Sequence, residues 1–235
     1  MINILIADDN LEFVKSFSNY ILHKYENIRI ANISSNGIEI IKELNQNDKI
    51  DIIILDLDMP VLNGIEFLKK IHLLKLHTYP KVIVLSAKIS NFLEVQNNKN
   101  VYLCLSKISG FDFIGNEIEK IVKYIEHKDV EEKIVQELKY IGMNLNHIGT
   151  KYLTKAILEI YVNPDMGYNL EKNIYTKISK AERKSVSTIK SNILKAINYM
   201  YVENEFDKIK IYFSMKVEEK PTPKRMISAI IDKIK

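Results

Sequence analysis

Ile52-Ile53-Ile54-Leu55-Asp56-Leu57-Asp58-Met59-Pro60-Val61-Leu62-Asn63-Gly64 is the stretch on which the reading of this chain turns. Its first four residues are continuously apolar, as in a strand buried on both faces of a parallel sheet. Asp56 stands where that strand would end, and open α/β sheets bind their ligands at that end. Met59-Pro60 turns the chain away. Gly64 permits a strained or closely approached backbone before a helix from Ile65 to about Leu73. A carboxylate in this place can be a metal ligand, a base or a nucleophile, or only a solvated loop residue after a core strand.

Strand and helix signals alternate on either side. Ile2–Ala7, Ile28–Ile33, Asp51–Leu55, Pro80–Leu85 and Val101–Leu105 read as strands. Helices are expected from the cap Asn10 to about Tyr25, over Gly37–Asn45, weakly over 88–97, and over Phe111–Glu126. Five such units imply a doubly wound parallel sheet. Asp8 and Asp9 then end the first strand, Asp56 the third, Ser86 the fourth and Lys107 the fifth, all at one sheet edge. Three carboxylates there repel one another unless a hard cation joins them. Mg²⁺ suits, because it takes oxygen ligands together with waters and phosphate. The lysine adds a second positive charge, and the hydroxyl can bond an arriving oxyanion. Together these are the parts of a phosphoryl-transfer site with a nucleophilic carboxylate.

The chain has 235 residues, enough for one large or two ordinary domains. One cysteine, Cys104, excludes an internal disulfide framework and fits a reducing cytoplasm. The opening apolar run is too short for a signal-peptide core, and no apolar run approaches the roughly 18 residues that span a membrane. Charge is divided unevenly. Residues 1–128 carry 15 Lys/Arg against 16 Asp/Glu, and residues 129–235 carry 19 against 14. Between 172 and 195, Lys172, Lys177, Lys180, Arg183, Lys184, Lys190 and Lys195 face one acid, Glu182. Such a patch is either a phosphate footprint or a solvated Lys-rich surface.

The second half is helical in pattern. A helix from Glu131 to about Met143 opens it, and Thr150–Val162 follows, broken by Asn163-Pro164 and Gly167. Leu170, Ile174 and Ile178 recur every four residues on a helix capped by Asn169. Ser185 could cap a longer helix to about Val202, with Val186, Ile189, Ile193, Ala196, Ile197 and Met200 on its apolar face. The opposite stripe is Ser187, Ser191, Leu194, Lys195 and Asn198, flanked by Thr188 and Lys190. Short polar and cationic side chains suit a helix lying in a major groove, though an ordinary amphipathic helix has the same pattern. A closing helix, with Thr222 as cap and Pro223 at its first position, buries Met226, Ile227, Ile230, Ile231 and Ile234.

On Asp8-Asp9, Asp56…Met59-Pro60…Gly64, Ser86-Ala87 and Lys107, residues 1–125 resemble the receiver domain of two-component response regulators. The resemblance implies that Asp56 accepts phosphate from a histidine kinase or a histidine-phosphotransfer protein. It implies Mg²⁺ held by Asp9, the Asp56 carboxylate and the Asp58 main-chain carbonyl, with Asp8 acting mostly through water. Lys107 would pair with the phosphate, Ser86 would swing to it, and phosphorylation would promote a homodimer through the fourth helix and fifth strand. Two positions depart from the family. Ile108 replaces the usual proline, and Cys104 stands where an aromatic is usual, with Tyr102 two residues earlier on the same strand face.

Residues 133–235 are similar to the effector domain of the sporulation-initiation regulators of endospore-forming bacteria. The likeness rests on Leu138…Ile141-Gly142…His147-Ile148-Gly149…Tyr152-Leu153…Ala156-Ile157, on Ile174-Tyr175…Ile178, on Ala196-Ile197 and on Lys220-Pro221-Thr222-Pro223. It implies helix-turn-helix binding of double-stranded DNA, with Ile174–Lys180 supporting and Ser185–Val202 reading, and tandem dimer contacts from the closing helix. Lys180, Arg183 and Lys184 would meet phosphates, and Ser187, Thr188, Lys190, Ser191 and Lys195 would face the groove. Where the family has Arg-Val-Glu-Arg, this chain has Thr188-Ile189-Lys190-Ser191.

The expected architecture is an α/β doubly wound, parallel five-stranded receiver domain (1–127), a linker (128–132) and an all-α helix-turn-helix domain (133–235). The five histidines show no ligand spacing, and the second half holds no P-loop or catalytic triad, so no enzyme is expected. The function implied is that of a cytoplasmic, phosphorylation-regulated transcription factor for sporulation-related genes. The alternative is a phosphoprotein without DNA binding, which competes for phosphodonor or pairs with a related regulator. The missing arginines keep it open.

Overall fold

Five short apolar runs form one sheet: β1 (Ile2–Ala7), β2 (Ile28–Ser34), β3 (Ile52–Leu55), β4 (Lys81–Ser86) and β5 (Val101–Ser106). The order is β2-β1-β3-β4-β5 and every neighbouring pair is parallel. The computed structural model describes residues 1–46, 49–166, 169–203, 206–214 and 219–235. All four residues of β3 are buried, as expected of a strand with helices over both faces. Strand order reverses between β1 and β3, so Asp8 and Asp56 follow the two strands that flank the switch point.

The helices of this half are α1 (Leu11–Lys24), α2 (Gly37–Gln46), α3 (Gly64–Lys70), α4 (Phe92–Val95) and the beginning of α5 (Phe111–Tyr140). The Asn10 side chain caps α1 by accepting the Phe13 N–H (3.0 Å), and Asn63 caps α3 by accepting the Glu66 N–H (2.9 Å). The helix expected to Leu73 ends at Lys70 and tightens into a 3₁₀ turn over Ile71–Leu73. The weak helix expected over 88–97 is a 3₁₀ turn at Ile89–Asn91 and the single turn of α4. Among the described residues, no helix is long and apolar enough to cross a membrane.

The linker expected at 128–132 is helix. α5 runs without a break from Phe111 to Tyr140, so the separate helices ending at Glu126 and starting at Glu131 are one. The charged run from Glu126 to Lys133 contains neither glycine nor proline, and Glu and Lys are good helix formers. Lys128 and Glu132 even form an i,i+4 pair at 3.9 Å. By packing, the chain divides into Met1–Val122 and Lys123–Lys235.

The second unit holds helices and no strand among its described residues: the end of α5, α6 (Ile148–Val162), a 3₁₀ turn (Pro164–Met166), a π-helical turn (Leu170–Tyr175), α7 (Thr176–Glu182), α8 (Val186–Glu203), α9 (Phe206–Tyr212) and α10 (Pro223–Ile234). Gly167 lies outside the described residues. The π turn replaces the expected α-helix after Asn169. Leu170, Ile174 and Ile178 repeat every four residues, wider than the roughly 3.6 of an α-helix, and the first turn widens to keep them on one side. Ile189, Ile193, Ala196, Ile197 and Met200 of α8 are buried with Leu153 and Ile157 of α6 and Met226, Ile227 and Ile230 of α10. All five apolar residues expected on the closing helix are buried, and Thr222 caps it by accepting the Arg225 N–H (3.3 Å).

Gly149 sets the distance between α6 and α8. A Cβ at that position would lie 1.9 Å from the Asn192 carbonyl oxygen and 2.5 Å from its carbon. Gly149→Ala is therefore expected to push α8 away and destabilise the second unit by about 3 kcal/mol, the upper end for overpacking. Guanidinium unfolding of the whole chain checks this. A wild-type midpoint would show that the two helices can part freely.

Candidate functional site

The C-terminal ends of β1, β3 and β5 deliver four charged side chains to one place: Asp8, Asp9, Asp56 and Lys107. Asp8 and Asp56 are buried, and Asp9 is exposed. One carboxylate oxygen from each of the three lies within 4.8 Å of the others. Lys107 reaches in from beyond β5, with its Nζ 2.6 Å from Asp8 Oδ2 and 2.8 Å from Asp56 Oδ2. The second oxygen of each buried carboxylate accepts a backbone N–H, from Asn10 at Asp8 Oδ1 (3.0 Å) and from Leu57 at Asp56 Oδ1 (2.8 Å). Each acid thus has one oxygen fixed by the main chain and the other by one shared ammonium.

Burial pushes the Asp56 carboxyl above the usual aspartate range, although Lys107 pulls it down and Asp8 adds to the rise. Burial also works against the charge of Lys107, but the hydrogen bonds and charges of Asp56 and Asp8 outweigh it and raise the lysine. A buried carboxylate held charged by one cation in little water is a strong nucleophile toward an electrophile that brings its own cation.

The loop that follows is shaped for close approach. At Gly64 a Cβ would lie 2.3 Å from the Asp56 carbonyl oxygen, so the start of α3 touches the backbone of Asp56 itself. Val61 has φ 65°, a left-handed conformation costly for a β-branched residue, and it is exposed. Asp58 adds no carboxylate to the cluster. Its Oδ2 lies 3.2 Å from Lys88 Nζ. Ser86 is fully buried at the end of β4, and its Oγ accepts the Lys88 N–H (3.2 Å). Cys104 is half-buried, with its thiol pushed up by burial, while Tyr102 is exposed on the same strand. Ile108 is 83% exposed beside Lys107.

In the second unit, Ser185 caps α8 by accepting the Thr188 N–H (3.1 Å), so its facing is set by the buried residues. Ser187, Thr188, Lys190, Ser191, Leu194, Lys195 and Asn198 are all exposed. Lys180 lies in the last turn of α7, Arg183 follows the helix in the left-handed region at φ 53°, and the Lys184 N–H returns to the Ser179 carbonyl (3.1 Å). All three are exposed, but only Arg183 and Lys184 lie in the turn before α8; Lys180, expected there, is on α7. The basic patch is partly neutralised. Lys155 pairs with Glu182, Lys177 with Glu159 and Lys190 with Glu171. Among the described residues, Lys180, Arg183, Lys184 and Lys195 are in no ion pair.

Residues 4–116 match the family "Response regulator receiver domain", and residues 134–234 match "Sporulation initiation factor Spo0A C terminal". The chain is a response regulator with an effector half of the sporulation-initiation family. Solved structures similar to its receiver half include the response regulatory domain of mrkE from Klebsiella pneumoniae (21% identity, TM-score 0.48, covering 53% of this chain and 98% of that one). They also include the receiver domain of a Francisella response regulator, 1452 (23%, 0.46, 53% and 99%), and the response regulator domain of Thermotoga maritima CheB (25%, 0.43, 52% and 95%).

Three contacts of these sites are not legible in the sequence alone. Phe13 lies under Lys107, Lys88 meets Asp58, and Glu171 meets Lys190. Only the first leaves a trace, since Phe13 and Phe17 stand four apart on the helix that begins beside Asp8-Asp9.

Lys107→Met removes the counter-charge and leaves both acids buried. Stability at neutral pH should fall by about 3 kcal/mol, the lower end for breaking a buried pair. Because the carboxyl pKa is raised in the folded state, that state binds more protons than the unfolded one. The lost stability should therefore return as pH falls toward the raised pKa. Unfolding of Lys107→Met at pH 7 and pH 5 measures this, and a deficit unchanged at pH 5 would place the carboxylates in water.

Proposed function

We propose that this response regulator is a phosphorylation-regulated, DNA-binding transcription factor of a phosphorelay, acting in the cytoplasm on sporulation-related genes. The observation that carries the reading is Asp56, buried at the switch point of the sheet, with Lys107 Nζ at 2.8 Å and two further carboxylates beside it. In this reading Asp56 is the phosphoacceptor for a histidine kinase or a histidine-phosphotransfer protein. Residues 1–127 form the receiver and residues 133–235 the effector.

The donor set fits Mg²⁺, being all oxygen, from Asp8, Asp9 and Asp56, with the Asp58 carbonyl added by resemblance. Bound there, Mg²⁺ would neutralise charge on the transferring phosphoryl group. The protein's own residues do the rest. Asp56 presents the attacking oxygen, and its other oxygen stays on the Leu57 N–H. Lys107 exchanges Asp56 Oδ2 for a phosphoryl oxygen. Ser86 leaves the Lys88 N–H to donate its hydroxyl to another, which biases the face of α4 and β5 toward pairing. No catalytic role beyond accepting phosphate is assigned to the chain.

For DNA, α8 is the reading helix, with Ser187, Thr188, Lys190, Ser191 and Lys195 toward the groove and Lys180, Arg183 and Lys184 on phosphates. The Lys190–Glu171 pair favours a second reading, a phosphoprotein that does not bind DNA, because it cancels charge on that face. Duplex binding by the full chain separates the two.

Incubation with a small phosphodonor and Mg²⁺ should label Asp56, and Asp56→Asn should take no label. Label retained by the variant would move the acceptor elsewhere. Sedimentation should show more dimer after phosphorylation, and equal monomer fractions would remove the switch. Arg183→Ala and Lys184→Ala should weaken binding to all duplexes alike and lower the salt slope by about one each. Lys190→Ala or Ser191→Ala should instead relax preference at single base positions, by roughly 1–3 kcal/mol where the contact is well formed. No binding to any duplex at low salt would favour the second reading.

A further inference from the structure

Lys107 has a third neighbour. Its ammonium lies over the ring of Phe13, 4.9 Å from the centroid, while Asp8 and Asp56 hold it at 2.6 and 2.8 Å. The ring is fixed in place. Phe13 lies in the first turn of α1, and its own N–H is the one Asn10 accepts (3.0 Å). One turn on, the buried Phe17 stacks on it at 5.5 Å, and Phe111 meets both rings edge-on at 5.8 and 5.2 Å. The helix that starts beside Asp8-Asp9 thus carries the ring, and an aromatic cluster holds it. An aromatic face attracts a cation more strongly as water is excluded, and the Lys107 side chain is only 18% exposed.

We propose that Phe13 is a positioning residue of the acceptor site, whose ring holds the Lys107 ammonium in place while the phosphoryl group arrives. The proposal rests on Asp56 as acceptor. In the transfer, an Asp56 carboxylate oxygen bonds to phosphorus, the bond from phosphorus to the donor breaks, and its electron pair leaves with the donor. Lys107 must then let go of Asp56 Oδ2 and turn to a phosphoryl oxygen. A lysine tethered by carboxylates alone would lose one of its two tethers in that step and be drawn back by the other. The ring's attraction depends on neither oxygen, so it keeps the ammonium at the site through the exchange. An aliphatic side chain at 13 could fill much of the same space but has no negative face.

The test uses the full chain with phosphoramidate and Mg²⁺, and reads the initial rate of labelling at Asp56 in wild type, Phe13→Leu and Phe13→Tyr. The same proteins give the ring-current shift of the Lys107 ε-methylene by NMR, assigned through its loss in Lys107→Arg. Phe13→Leu should label about tenfold more slowly and lose the shift, while Phe13→Tyr should keep both near wild type. A merely structural role for Phe13 would not tie the rate to the aromatic face or to the Lys107 resonance. Phe13→Leu as fast as wild type, or Phe13→Tyr as slow as Phe13→Leu, would overturn the proposal. A wild-type chain that takes no label at Asp56, with the ring-current shift present, would instead overturn the acceptor reading, and the role of Phe13 with it.

Discussion

Asp8 and Asp56 repel each other across a space with little water, and one ammonium from a third strand end makes their proximity tolerable. Much of the first unit follows from that arrangement. The sheet must reverse its strand order between β1 and β3, so that the two acids come from neighbouring strands. β5 must reach far enough along β4 for Lys107 to emerge at the same edge, and the pairing of Ser86 with Ser106 sets that register. The backbone after each acid must offer an N–H to the oxygen the lysine does not hold. Burial of β3 on both faces supplies the apolar surroundings that make the charges strong.

The second unit depends on packing rather than charge. Gly149 lets the backbone of α6 meet that of α8. With α8 seated there, its period leaves no choice about which residues face outward. The Ser185 cap sets where the helix starts, and Arg183, in a left-handed conformation, turns the chain between α7 and α8. A residue with a Cβ incurs a small strain there.

The parallel sheet was legible because continuous apolar runs and Asp, Ser and Lys at their ends are local signals. The same holds for the caps at Asn10, Asn169, Ser185 and Thr222, each of which needs only a short polar side chain before a periodic segment. The break expected at 128–132 failed because charge density marks both linkers and exposed helix, and only the absence of Gly and Pro tells them apart. The π turn at Leu170–Tyr175 needed the difference between a period of four and one of roughly 3.6, which three residues barely resolve. The contacts of Phe13 and Glu171 join residues far apart in sequence; the spacing of Phe13 and Phe17 hints at an aromatic cluster, but nothing local points to the lysine either residue meets.

Glu171 changes what the outward face of α8 can do. Charge counted along the sequence from 172 to 195 is strongly positive, but Glu171 stands one residue outside that window and pairs with Lys190 at the middle of the face. An exposed pair of this kind is worth only about 0–1 kcal/mol, so a phosphate or a base edge could take the lysine from it. The exchange would still lower the net gain from Lys190, whereas Arg183, Lys184 and Lys195 have no such partner among the described residues. Contacts to the backbone of a duplex would then keep their full strength while the reading contact is discounted. In the proposed DNA complex, one carboxylate on the neighbouring helical turn would tilt the balance between sequence-independent and sequence-specific binding toward the former.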